Sequence, residues 1–271
     1  MKLGAITNSW REHLESESIE SLVGQAAARG AMHIELRQTC LGDCETGEGD
    51  DWRPNIGNLK ALVAQHPDMS FNLAVAYPCL SQDAQPKSAL FQSMLDAAVA
   101  VSPDAPHLRM VDPARFDSLW DKPADIPDTA MSIAALVQEA AARGVTLSME
   151  NSGQPIRSLA MLVQAVRDAL PAEQGGLLGL CPDPTNQLRI DADSDPVGEV
   201  EALPVDMIKI AHFKQTRGGT AIPTVDSGDV DCSRLMKSLQ DKEYAGAAIM
   251  EIPPHEQVFD NLSASFAYLS A

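Results

Sequence analysis

The chain has 271 residues, apolar side chains at 45% and a formal net charge of −18. Such a surface repels phosphate backbones and anionic membranes, which sets nucleic acid aside as a first reading. No apolar run reaches the roughly 18 residues that span a bilayer, and MKLGAITNSW turns polar too soon for a signal peptide, so a cytoplasmic protein without membrane partners is expected.

Lys2–Thr7 reads as the first strand. Ser18–Arg29 carries Ile19, Leu22, Val23 and Ala26 at helical spacing, and Gly30 follows as a stop. Met32–Leu36 is the second strand, Ile56–Gln65 the second helix and Ser70–Ala76 the third strand. Ser88–Val101 is the third helix, His107–Val111 the fourth strand, and Ala130–Arg143 an amphipathic helix ended by Gly144. Val145–Glu150 follows as strand, Ser158–Ala169 as helix and Gly176–Cys181 as strand. Pro196–Leu203 is a weaker helix, Met207–His212 a strand, Cys232–Gln240 a helix, Ala247–Ile252 the last strand and Phe259–Ser270 the closing helix.

Alternating strands and helices predict βα units on a parallel sheet. Eight of each, at a length close to the roughly 250 residues such folds need, predict an α/β protein: one (β/α)8 TIM barrel spanning 1–271 as a single domain. The first turn, LGAITNSWRE, has no GxGxxG, so no dinucleotide site is supported. The five cysteines (Cys40, Cys44, Cys79, Cys181 and Cys232) are odd in number and read as reduced thiols.

A TIM barrel works at the C-terminal ends of its strands. There the sequence places Glu150, Asp183, His212 and Glu251, each closing one of four consecutive apolar runs. Side chains alternate along a strand, so Thr146, Ser148 and Glu150 share a face, as do Ile208, Ile210, His212 and Lys214. Three carboxylates and one imidazole suit a hard or borderline divalent ion: Mn²⁺, Mg²⁺, Co²⁺ or Zn²⁺. An open coordination position would polarise a substrate oxygen.

The segments AALVQEAAARGVTLSMEN, DPTN, HFKQ and the stretch from VDSGDVD to IMEI resemble the xylose isomerase-like barrel superfamily, which also includes the endonuclease IV fold. The resemblance implies metal ligation by Glu150, Asp183, His212 and Glu251. It further implies that Glu150 and Glu251 move a proton next to a metal-bound carbonyl through an enediolate, with no organic cofactor. An isomerase or epimerase of a small sugar or hydroxy-keto acid, acting in carbohydrate metabolism, follows as the expectation. A lyase of the inosose or dehydroshikimate dehydratase kind is the alternative on the same scaffold. An endonuclease IV-like repair enzyme fits less well, because AYPC and MVD at the third and fourth strand ends offer no further histidine ligands. A barrel that binds a sugar without turnover is a fourth reading. Asn186 and Gln215 depart from the histidine and aspartate common in relatives. Barrels of this kind often dimerise, and a homodimer is compatible with the sequence.

Other candidates surround these four. Lys214 shares the face of His212 and would steady an oxyanion or an anionic substrate. Arg37 would either pair with Glu35 or hold a carboxylate or phosphate through its fork. Arg109, inside a strand, needs a buried partner or a ligand. Asn186 replaces a substrate-contacting histidine of relatives, and Arg217 lies in a glycine-rich loop able to act as a lid. Trp10 and Tyr77 are placed to wall the pocket, and His255 to line it. His33, His66 and His107 lie away from this face and read as structural.

Overall fold

A computed structural model describes residues 1–271. Eight parallel strands form one sheet: β1 (Lys2–Ile6), β2 (His33–Arg37), β3 (Ser70–Ala76), β4 (His107–Val111), β5 (Thr146–Glu150), β6 (Leu178–Cys181), β7 (Ile210–Phe213) and β8 (Ala247–Met250). The order is β6-β5-β4-β3-β2-β1-β8-β7. The ring closes between β6 and β7 through a single bridge, Leu180 with Ile208, and two more backbone bonds, Lys209 N to Leu180 O at 2.9 Å and His212 N to Pro182 O at 3.0 Å. The result is a nearly closed (β/α)8 TIM barrel.

The outer helices start where sequence chemistry starts them. Ser18, Asn55, Ser88 and Asp231 each accept a backbone N–H at a helix N-terminus through their side chains, satisfying donors that the first turn leaves unpaired. Gly30 and Gly144 take φ of +97° and +69° just past their helices, a conformation open to a residue without Cβ. The apolar faces of the helices pack on the strands as one large core. A second, small cluster of Ile6, Cys181, Ile210, Ala247 and Ile249 plugs the barrel interior and floors the site above it.

Three differences from expectation bear on the barrel and its site. The helix expected over Ala130–Arg143 is two helices, Asp128–Met131 and Ile133–Ala141. The break falls at Ser132, whose hydroxyl donates to Thr129 O at 2.6 Å and accepts from Ala84 N at 2.8 Å, so the side chain serves a neighbouring loop. β7 starts at Ile210 because a tight turn over Val205–Met207 uses up the start of the apolar run. A helix over Pro184–Ile190 was not expected. Its first four residues are buried and mostly polar, so no amphipathic period marks it. No helix is long and apolar enough to cross a membrane. All five cysteines are free and buried.

Candidate metal centre

Each expected ligand reaches the barrel axis for a local reason. Glu150 ends β5, where Ser148 and Glu150 point inward by alternation. Asp183 is the N-cap of the helix Pro184–Ile190, its Oδ1 accepting from Asn186 N at 2.9 Å. Asn151 clamps the backbone of Asp183, donating to its O at 2.9 Å and accepting from its N at 2.7 Å. His212 lies on β7 beside Ile249 of β8, and Glu251 follows β8 with its N–H bonded to Phe213 O at 3.0 Å.

The structure brings the four together: one donor atom from each lies within 4.8 Å of the others. Asp183 Oδ2, His212 Nδ1 and Glu251 Oε2 are buried and make no hydrogen bond, with His212 Nδ1 2.9 Å from Glu251 Oε2 and 3.8 Å from Asp183 Oδ2. Buried polar atoms are normally satisfied, so three lone-pair atoms without hydrogen bonds, converging on one point, fit a cation. The opposite atoms are all occupied. Glu251 Oε1 accepts from Asn8 Nδ2 at 2.9 Å. His212 Nε2 stands 2.8 Å from Glu35 Oε2, which places the proton on Nε2 and turns the Nδ1 lone pair inward when the ring is neutral. Glu150 is held at both oxygens, by Asn186 Nδ2 at 2.9 Å and Arg109 Nη1 at 2.7 Å. Three carboxylates and one imidazole, oriented by outer partners, match the donor chemistry of a divalent site.

Behind the ligands lies a buried charge network. Arg109 donates to both oxygens of Glu35 at 3.1 Å each and to Glu150, and Asn72 Nδ2 adds a bond to Glu35 at 3.0 Å. Burial alone would raise the Glu35 and Glu150 carboxyls. Arg109 overcomes it, helped by His212 at both residues and Lys214 at Glu150, and holds both well below the usual range. Burial likewise opposes charge on Lys214, but Asp183, Glu251 and Glu150 hold its ammonium well above its ordinary value. Its Nζ lies 2.8 Å from both Asp183 Oδ2 and Glu251 Oε2, at angles that form no hydrogen bond with either, and 3.5 Å from Glu150 Oε1. Lys214 thus puts one positive charge at the edge of three negative ones.

The other candidates divide. Lys214 and Asn186 touch the ligands directly. Arg109 is enclosed and fully used by Glu35 and Glu150, so it holds a candidate ligand where a substrate contact was expected. Arg37 is half-buried and donates to Gln38 O at 2.6 Å; Glu35 pairs with Arg109 across β3 instead. Trp10 and Tyr77 belong to the core, against Phe259 and Phe91 with ring centroids at 5.4 and 5.6 Å. Arg217 is exposed on a small hairpin and donates to Ser227 O at 2.9 Å. His255 is exposed, its Nδ1 accepting from Gln257 N at 3.0 Å. His33 and His107 sit at the opposite end of the barrel, lining a pocket that opens at its floor.

Sequence reasoning missed Asn8 and Asn151, which hold the candidate ligands Glu251 and Asp183, Asn72, which holds Glu35 behind His212, and Arg11 and Arg189, which line the mouth with Lys214 and Glu251. Asn8 and Asn151 carried a usable signal: each follows the end of a barrel strand.

No curated protein sequence matches. Among solved structures, the probable 3-DHS dehydratase AsbF of Bacillus anthracis superposes with a TM-score of 0.72 at 16% identity, covering 100% of this chain and 99% of that one. The IolI protein with a binding zinc atom gives 0.70 at 13% identity, covering 100% and 95%. D-psicose 3-epimerase from Clostridium cellulolyticum H10, with D-tagatose, gives 0.62 at 16% identity, covering 100% and 91%. At these identities the likeness is one of fold. The family model described as xylose isomerase-like TIM barrel matches residues 23–269, and the chain belongs to that family.

Proposed function

We propose that this protein is a divalent-metal-dependent isomerase or epimerase of a small sugar or hydroxy-keto acid. The observation that carries the reading is the convergence of Asp183 Oδ2, His212 Nδ1 and Glu251 Oε2, buried and without hydrogen bonds, beside Glu150. Glu150, Asp183, His212 and Glu251 would hold the ion. When bound, it would draw electron density from a substrate carbonyl and make the adjacent C–H more acidic.

The chain's own groups supply the rest. Glu150 and Glu251 come from strands on different sides of Asp183 and His212, and both are ionised at neutral pH. One takes the proton from the carbon next to the carbonyl and the other returns it. Asn186 and Arg109 fix Glu150, and Asn8 fixes Glu251, so neither carboxylate must reorganise during transfer. Lys214 supplies positive charge where the enediolate oxygen develops its negative charge.

A lyase on the same constellation is the second reading, supported by the fold likeness to the probable dehydratase. It would begin with the same proton abstraction and end in loss of water.

The test is wash-in of deuterium from D2O into D-tagatose, D-allulose and hydroxypyruvate, followed by NMR, together with enone absorbance for water loss. Mn²⁺-loaded protein is expected to exchange a C–H next to a carbonyl, and a chelator to abolish the exchange. Glu150→Gln and Glu251→Gln are each expected to lower it by at least about a hundredfold, the scale of a lost general base, with circular dichroism unchanged. Undiminished exchange by the metal-free protein would refute the reading.

A further inference from the structure

The mouth of the site is a cavity of about 210 Å³ bordered by Asn8, Arg11, Arg189, Lys214 and Glu251. Three of these side chains are cationic and one is acidic. In a chain with net charge −18, that local reversal of sign is notable for where it falls. Lys214 is already engaged with Asp183 and Glu251. Arg11 and Arg189 are not. Of the other outer arginines, Arg29, Arg143, Arg157, Arg167 and Arg234 make ion pairs; Arg53, Arg115 and Arg217 make none, but they do not line this cavity. Arg11 and Arg189 contact only neutral oxygens. Arg11 Nε donates to Asn8 O at 3.3 Å, and Arg189 Nη1 to Asn186 Oδ1 at 3.3 Å.

Those two neutral partners are informative. Asn8 is the residue that holds Glu251, and Asn186 is the residue that holds Glu150. Each of these guanidiniums is therefore bonded to a residue that holds one of the two glutamates proposed to move the proton, Arg11 through the Asn8 backbone and Arg189 through the Asn186 side chain. A guanidinium offers a planar fork of donors that matches an oxyanion. Two of them border one cavity without a carboxylate of their own, the same cavity that Lys214 and Glu251 line.

We infer that the substrate is an anionic polyol, a small polyhydroxylated compound whose carboxylate or phosphate is held by Arg11 and Arg189 at the mouth. The inference rests on the proposed reaction for its meaning, and it separates this chain from the epimerase neighbour, whose D-tagatose is neutral.

Calorimetry on the metal-free protein tests it, because no bound metal then competes for the anionic group. The probes are D-glucitol, D-gluconate and D-glucitol 6-phosphate, which share a carbon skeleton and differ in charge. At least one anion is expected to bind tenfold or more tightly than glucitol, and whichever does so names the anionic group. In the Arg11→Met/Arg189→Met double variant that preference is expected to fall to within about twofold. Both side chains are exposed, so the variant keeps its fold. Equal affinity for the three probes overturns the inference. So does absence of anion binding at millimolar concentration, or a preference that survives in the double variant. The readout is independent of turnover: an anion preference without deuterium exchange into an anionic ketose, D-tagatose 6-phosphate, sinks the isomerase reading alone, and exchange on neutral sugars without a preference sinks this one alone.

Discussion

Arg109 is the side chain whose replacement should disturb the molecule most. It is 1% exposed, and its guanidinium joins Glu35 to Glu150. Removing one member of a buried ion network leaves the others charged, dry and unpaired, at a cost of about 3–5 kcal/mol. Arg109→Met should therefore shift the urea midpoint strongly downward. Arg109→Lys should recover little, because a single ammonium cannot bridge two carboxylates with a fork. A loss below about 1 kcal/mol for Arg109→Met, measured in urea, would mean that water or another cation already shields the pair. The network also shows how far residue-level reading reaches. Glu35 and Arg109 were visible as charges in the middle of apolar runs, HIELR and HLRMV. Their pairing was not, because β3 lies between their strands in the sheet and only the inward alternation of the closed barrel brings the two side chains together. Arg37, two residues from Glu35, was the nearer partner in sequence, but its guanidinium instead bonds Gln38 O.

Strand alternation gives β2 a polar inner face, with His33 at the floor and Glu35 above it. His33 Nε2 bonds Asn72 Oδ1 at 2.7 Å, and Asn72 bonds Glu35, so hydrogen bonds run from the barrel floor to the ring of His212. Burial lowers the His33 pKa below the ordinary 6.5, and on β4 it pushes His107 down to about 3. Both rings are thus neutral when folded, whereas the unfolded chain protonates them near pH 6.5. Their contribution is fully present above pH 6.5 and is lost as pH falls toward the folded values. Stability should accordingly begin to decline between pH 6.5 and about 5, before ordinary carboxylates titrate. His107→Gln, which can still bond Ser148, should flatten that decline in urea titrations. An unchanged slope would show that the ring is hydrated through the floor pocket. Register was readable at this scale because four strand ends each carried one ligand type after an apolar run. The short helix capped by Asp183 was not readable: the same carboxylate serves as cap and as candidate ligand, and its buried polar turn has no periodicity to betray it.

The whole barrel depends on its weakest seam. Seven strand pairs run as regular ladders, while β6 and β7 meet through one bridge and a few backbone bonds. Asp183 and His212 stand on opposite sides of that seam, so closing the cylinder brings two of the four candidate ligands together. Gly179 makes the approach possible: a Cβ there would lie 2.5 Å from Met207 O and 2.6 Å from Lys209 Cγ. The first contact is with backbone and cannot swing aside, so Gly179→Ala should force β6 and β7 apart. Overpacking of this kind costs about 1–3 kcal/mol, and each kcal/mol lowers Tm by roughly 2–4 °C in a chain of this size. The informative comparison is Gly175→Ala, where the new Cβ would press on Arg167 Cα at 3.0 Å, outside the barrel seam. Both variants should melt earlier. Only Gly179→Ala should also weaken Mn²⁺ binding by tenfold or more in calorimetry, since it alone separates two ligands. Equal metal affinity in the two variants would mean that the ligands keep their spacing when the seam opens, and that the barrel's closure and its chemistry are independent.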